Sequence, residues 1–179
     1  MSSYDNQTKM YEFHILMELL EGGDLEEYLK EQGRQSLKRV QEIGKQLLSA
    51  LINLHEQHHI VHQDIKPKNL LFDKERKTLK IVDFGISSQV ESKKTQNNTA
   101  QGTIRYMPPE QLDGVLTFKN DIWSFGCVLF QMATGLRPFD AIDNDLGVCM
   151  ELSSNGSNPL KYLKDKGDDQ VLSSDADFI

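Results

Sequence analysis

The stretch His62-Gln63-Asp64-Ile65-Lys66-Pro67-Lys68-Asn69, running on into Leu70-Leu71-Phe72, decides how the rest of the chain is read. It sets a proton acceptor, a cation and a neutral oxygen ligand a few residues apart in a polar turn, between a long helical pattern and a β-type run. A carboxylate such as Asp64 can orient and deprotonate a hydroxyl. An ammonium such as Lys66 can neutralise a phosphoryl group, and the amide oxygen of Asn69 can ligate a hard cation without adding charge. Taken alone, the same residues also suit a polar turn closed by local hydrogen bonds.

Working outward, Ser36 is a helix N-cap, and Leu37, Val40, Ile43, Leu47, Leu48, Leu51, Ile52 and Leu54 recur at helical spacing up to the loop before the turn. Downstream, Leu70-Leu71-Phe72 and Leu79-Lys80-Ile81-Val82 flank the charged turn 73–77 and predict a two-stranded hairpin. Asp83-Phe84-Gly85 follows directly. By itself that tripeptide is a commonplace turn; at the end of this hairpin, Asp83 would stand beside Asn69 and give a second oxygen ligand for Mg²⁺.

Further out, Phe13-His14-Ile15-Leu16-Met17 reads as a short buried strand ended by Glu21-Gly22-Gly23. Asp24 caps a short helix from Leu25 to Lys30, with Glu26 and Glu27 in the first turn, where the helix dipole favours them. Residues 86–101 offer hardly an apolar anchor and predict a mobile surface loop carrying Thr95 and Thr99. The pattern from Asp121 to Thr134 covers most of a helix circumference with apolar side chains and predicts a helix buried on nearly every side. Beyond Phe139 the chain turns acidic, with one short helix near Leu146 to Leu152 and a loose end.

The formal charge of -7 over 179 residues gives no support to binding of nucleic acid or an anionic membrane surface. No apolar run approaches membrane-spanning length, and the start is no signal peptide. With only two cysteines, the chain reads as a reduced cytoplasmic or nuclear protein. Cys127 and Cys149 fit small apolar core positions better than reactive ones. His55, His58, His59 and His62 fall close enough together to bind zinc, although no Cys or carboxylate completes an obvious tetrahedral set.

Five motifs in order resemble the signatures of eukaryotic protein kinases of the serine/threonine type: His62-x-Asp64-x-Lys66-Pro67-x-Asn69, Asp83-Phe84-Gly85, Gly102-Thr103, Pro108-Pro109-Glu110 and Asp121-Ile122-Trp123-Ser124-x-Gly126. The resemblance implies an α+β fold: a kinase-like large lobe, mostly helical, with a hinge strand and a small β-hairpin. It implies ATP and Mg²⁺ as cofactors and a protein substrate bearing Ser or Thr. Asp64, Lys66 and Thr103 would be catalytic, with Asp64 accepting the hydroxyl proton and Lys66 screening the γ-phosphate; Asn69 and Asp83 would hold Mg²⁺. Backbone groups of Glu18 and Leu20 would read the adenine edge, Met17 would gate the pocket behind it, Asp24 would sit near the ribose and Leu71 under the ring. Asp121 would anchor the catalytic turn.

Departures from the family pattern qualify these expectations. Gln63 stands where the family most often has an Arg that pairs with a phosphate, and an amide gives no charge-assisted bidentate bond. No glycine-rich loop, no strand Lys and no helix with its Glu partner precede Phe13, and Glu110 lacks its Arg partner. The expected organisation is therefore a small-lobe remnant at 1–11, a partial kinase domain at 12–152 and a polar acidic tail at 153–179, with the small lobe largely absent. Apolar faces left uncovered in this way suit a protein partner, and a non-catalytic interaction module is the alternative function.

Overall fold

The computed structural model describes residues 2–5, 10–90, 95–96 and 101–154. A hairpin of β1 (Ser2–Asp5) and β2 (Met10–Phe13) opens the chain, with Ser2 opposite Phe13 and Asp5 opposite Met10. Helix α1 (Leu25–Gln32) begins where Asp24 Oδ1 accepts from Glu27 N at 2.8 Å and ends at Gly33, whose φ of 68° lies in the region glycine tolerates. Helix α2 (Leu37–Ile52) starts on the predicted Ser36 cap and continues into a wider turn at Asn53–Gln57.

Short antiparallel pairs frame the catalytic turn. β3 (Ile60–Val61) pairs with β6 (Ser88–Gln89), and β4 (Leu70–Phe72) pairs with β5 (Leu79–Ile81) in the predicted hairpin, with Leu71 opposite Lys80. β7 (Thr95–Gln96) pairs with β8 (Val115–Leu116). A short α3 (Pro109–Leu112) precedes the long α4 (Phe118–Thr134), and α5 (Asp145–Ser153) lies one residue outside the expected limits at each end.

The main core gathers Leu25 and Leu29 of α1, Ile43, Leu47 and Leu51 of α2, and Val128 and Met132 of α4 around Ile65, Leu70 and Phe72. Full burial of each such side chain is worth about 1.5–3 kcal/mol, and Ile65 and Leu70 anchor the turn 62–69 in this core. Helices α2 and α4 cross at Gly44, where an added Cβ would lie 3.2 Å from Leu129 Cδ2. The hairpin loop is tied to α2 by polar bonds: Arg39 Nη2 donates to Arg76 O at 2.7 Å, and Gln46 Oε1 accepts from Leu79 N at 2.9 Å.

Three expectations are corrected. The strand predicted over 13–17 is displaced: β2 ends at Phe13, and Ile15 and Leu16 are 84% and 101% exposed, with Met17 and Leu19 also open. An apolar run becomes a buried strand only when another element pairs with it and covers it, and among the described residues none does so for 14–20. The segment 86–101 is not one featureless loop. Val90 is buried with Val61 and Leu116, and β6 and β7 pair on either side of it; residues 91–94 and 97–100 lie outside the described residues. Helix α4 starts at Phe118, where Thr117 and Asn120 form a capping box, and is not buried on every side. The helix packs against α2, β3 and the 3₁₀ turn Ile104–Tyr106, and Ile122 is left 44% exposed.

Candidate active site

The catalytic turn owes its shape to one buried carboxylate. Asp121, 0% exposed in the first turn of α4, accepts from His62 N at 2.8 Å and Gln63 N at 2.9 Å, and His55 Nε2 lies 2.8 Å from its Oδ2. Gln63 has φ of 70°, a left-handed conformation that costs a non-glycine residue on the order of 1 kcal/mol or more. Two charge-assisted bonds to successive N–H groups offset that cost. The chain then runs through Asp64 to the 3₁₀ turn Pro67–Asn69, opened by the fixed φ of proline.

Asp64 is where the predicted residues converge. Its Oδ1 accepts from Thr103 Oγ1 at 2.7 Å and Thr103 N at 3.0 Å, while its Oδ2 accepts from Lys66 Nζ at 2.6 Å and Asn69 Nδ2 at 3.0 Å. Lys66 Nζ also donates to Thr103 Oγ1 at 2.7 Å, closing a three-membered ring of carboxylate, ammonium and hydroxyl. Thr103 reaches Asp64 because Gly102 lets the two backbones touch: at its φ of 117°, a Cβ would stand 2.6 Å from Gln63 O.

His62 is buried as a neutral imidazole with both nitrogens engaged. Nε2 lies 3.0 Å from Val82 O and so carries the hydrogen, which leaves Nδ1 to accept from Asp64 N at 3.3 Å. Burial holds its pKa below the usual histidine range, against the opposing pull of Asp121 and other neighbours.

Asn69 spends its Nδ2 on Asp64, at O and Oδ2, and among the described residues its Oδ1 takes no hydrogen bond. Val82 N donates to Asn69 O at 3.0 Å, so the hairpin brings Asp83 alongside Asn69 at the same edge. Asp83 is exposed in a left-handed conformation with φ of 63°, and among the described residues its side chain accepts from Gly85 N at 3.3 Å. An amide oxygen and a carboxylate on one edge form a donor set suited to a hard divalent cation.

The expected adenine-side residues divide into two groups. Asp24 and Leu71 are brought together as an isolated antiparallel bridge, reinforced by Gly22 N to Phe72 O at 3.0 Å and Phe72 N to Gly23 O at 2.9 Å. Only glycine fits at 22, because a Cβ there would fall 1.9 Å from Asp73 O. The Glu18 carboxylate pairs with Lys80 Nζ on β5, and Leu20 is half-buried, whereas Met17 is exposed and closes no pocket among the described residues.

The histidine run is no metal site among the described residues: His55 belongs to Asp121, His62 is spent on Val82 and Asp64, and His58 and His59 are exposed. Cys127 is a core residue whose thiol burial pushes up to about 12, far from reactive. Glu110 makes no ion pair among the described residues. Sequence reasoning missed Gln111 and Asn120, both buried and both bonded toward the catalytic turn. Amides in a polar stretch carry no periodic signal, and only their burial marks them.

A buried carboxylate thus shapes the turn, a second carboxylate is bonded to Lys66 and Thr103, and Asn69 lies next to the hairpin end that carries Asp83. The chain belongs to the protein kinase domain family, whose model matches residues 1–174. Among its relatives, the serine/threonine-protein kinase cds1 of Schizosaccharomyces pombe is 39% identical over 85% of this chain and 34% of its own length. The mitogen-activated protein kinase kinase SIPKK of Nicotiana tabacum is 40% identical over 74% of this chain and 37% of its own length. The serine/threonine-protein kinase PrkC of Bacillus subtilis is 42% identical over 72% and 20%. The chain thus spans well under half the length of these relatives. No helix among the described residues is long and apolar enough to cross a membrane.

Proposed function

We propose that this chain carries the catalytic centre of a protein serine/threonine kinase that transfers the γ-phosphoryl group of ATP to a Ser or Thr hydroxyl. The ring formed by Asp64, Lys66 and Thr103 is the observation that carries this reading. Asp64 accepts the proton released as the hydroxyl oxygen bonds to the γ-phosphorus and the bond from that phosphorus to the oxygen of departing ADP breaks. Lys66 balances charge on the transferred group, and Thr103 fixes the carboxylate rotamer between them. Asn69 and Asp83 are the residues that would hold Mg²⁺, whose chemistry is to neutralise phosphate oxygens. Leu71 and Asp24, with backbone groups of Glu18 and Leu20, would take the nucleoside, and Met17 would stand behind it. In this reading the kinase domain occupies 12–152 in a cytoplasmic or nuclear protein; residues 155–179 of the expected tail lie outside the described residues.

The test is phosphate transfer from γ-labelled ATP to peptides differing only in Ser, Thr or Tyr, with Asp64→Asn as control. Transfer to Ser and Thr that vanishes in the variant is the expected result. The exposed apolar residues Ile15, Leu16, Met17 and Leu19 support a second reading, a kinase-derived interaction module. Titration calorimetry separates the two: a folded chain that gives no heat with millimolar Mg-ATP would remove the enzyme reading and leave the module.

A further inference from the structure

We infer that Gln111 is a positioning residue for phosphoryl transfer, holding Thr103 against Asp64 by fixing the backbones that lead into both. The inference rests on the kinase reading of the Asp64 centre. Gln111 lies in α3, 4% exposed, and touches none of the groups assigned to nucleotide or hydroxyl. Its Nε2 donates to Gln101 O at 2.6 Å and to Gln63 O at 3.4 Å, and its Oε1 accepts from Asn120 Nδ2 at 3.1 Å.

Each of those contacts has a consequence one or two residues away. Gln63 is the residue before Asp64, and Gln101 is two before Thr103, whose N and Oγ1 both donate to Asp64 Oδ1. Gly102, between them, has no side chain to hold the strands apart; a Cβ there would meet Gln63 O at 2.6 Å and Gln111 Nε2 at 3.4 Å. The amide of Gln111 therefore sets the spacing of two backbones that lead, one and two residues on, to Asp64 and Thr103.

The amide is itself held. Asn120, 1% exposed, donates to Val115 O at 3.0 Å and accepts from Thr117 N at 2.8 Å, so its orientation toward Gln111 is fixed by the cap of α4. Asn120 and Asp121 are neighbours in that first turn. Asp121 grips the N–H of Gln63 directly, and Asn120 reaches the carbonyl of the same residue through Gln111. Only a side chain with two donors and an acceptor in one plane serves all three contacts. A carboxylate cannot donate, and an apolar isostere takes the bond from the buried Gln63 O, frees the Gln101 O and leaves Asn120 with Val115 and Thr117 alone.

The experiment uses the full chain with Gln111→Met and Gln111→Glu, and reads hydrogen exchange at the Thr103 amide together with turnover. In Gln111→Met, Thr103 protection falls by about tenfold or more while amides of the α2 core stay unchanged. Because exchange needs no turnover, it reports on the contact even if the chain transfers no phosphate. In that case loss of Thr103 protection supports the positioning network, and it is the catalytic reading that fails.

Where turnover is measured, kcat falls by about 10–100-fold and KM for ATP stays within about twofold, as misplacement without loss of binding requires. In Gln111→Glu, activity relative to the parent chain rises as pH is lowered from about 8 to about 6, because only the protonated carboxyl donates to Gln101 O. Unchanged Thr103 protection in a folded Gln111→Met chain overturns the proposal. So does a uniform loss of protection across the core, which marks a purely structural role, and so does a rise in KM for ATP equal to the fall in kcat.

Discussion

The hydroxyl of Thr103 donates to Oδ1 of Asp64 at 2.7 Å across 39 positions of sequence, while accepting from Lys66 Nζ at the same distance. One hydroxyl thus serves two charged groups of opposite sign. Without it, both the rotamer of the carboxylate and the reach of the ammonium lose their common fixed point.

Thr103→Val is therefore expected to lower phosphate transfer by about 10²-fold, with Thr103→Ser retaining most of the rate. Initial rates on a Ser peptide and a thermal melt check this. A rate loss in Thr103→Val accompanied by an equal loss in Thr103→Ser would show that shape, not the hydroxyl, is what matters.

Asp121 is the anchor of the turn, and its removal strands two buried N–H groups and His55. Asp121→Ala should destabilise the fold by about 3–5 kcal/mol, lowering the urea midpoint accordingly. A shift smaller than about 1 kcal/mol, the scale of a single exposed hydrogen bond, would argue against that role.

His62 titrates below its ordinary value of 6.5 because burial disfavours the imidazolium. The unfolded chain then binds the proton before the folded one does, so stability rises with pH across this window. The contribution is complete above about pH 6.5 and is lost as pH falls below it toward the folded pKa. Protonating Nδ1 also removes the acceptor of Asp64 N. Urea midpoints at pH 7.5 and 5.5 should diverge more in the parent chain than in His62→Gln, which can still donate to Val82 O but cannot take up the proton.

The side chain of Gln63 ties the start of the segment after Asp83-Phe84-Gly85, donating to Ile86 O and, at 2.8 Å, to Ser88 Oγ. A neutral amide does here what a cation bridged to phosphate would do elsewhere. Replacing both Thr95 and Thr99 with Ala should leave transfer activity within about twofold, because no phosphate is needed to hold Gln63. Gln63→Ala should reduce activity and raise hydrogen exchange at 86–88. A large activity loss in the double Ala variant would overturn this.

Much of the local architecture was legible in the residues. The caps at Asp24 and Ser36, the hairpin of Leu70–Phe72 with Leu79–Ile81 and the polar turn ending at Asn69 all stand where the pattern placed them. The apolar run Ile15-Leu16-Met17 misled, because hydrophobicity reports what a segment could bury and says nothing of whether a neighbour arrives to cover it. Asp121 to Thr134 misled in the same way: a helix apolar all round needs cover all round, and Ile122 is covered only in part, at 44% exposure.

What the sequence by itself determined was that Asp64, Lys66 and Asn69 share one short polar turn, that Asp83 ends the hairpin, and which local elements carry them. Capping, turn formation and hairpin register depend on residues only a few positions apart. What only the tertiary structure decided was which polar groups meet: Asp121 with His62, 59 positions away, Thr103 with Asp64, and Gln111 with Gln63, 48 positions away. Those bonds form because core packing of α2 and α4 carries the segments into contact, and a buried polar group must then take whichever partner the packing brings.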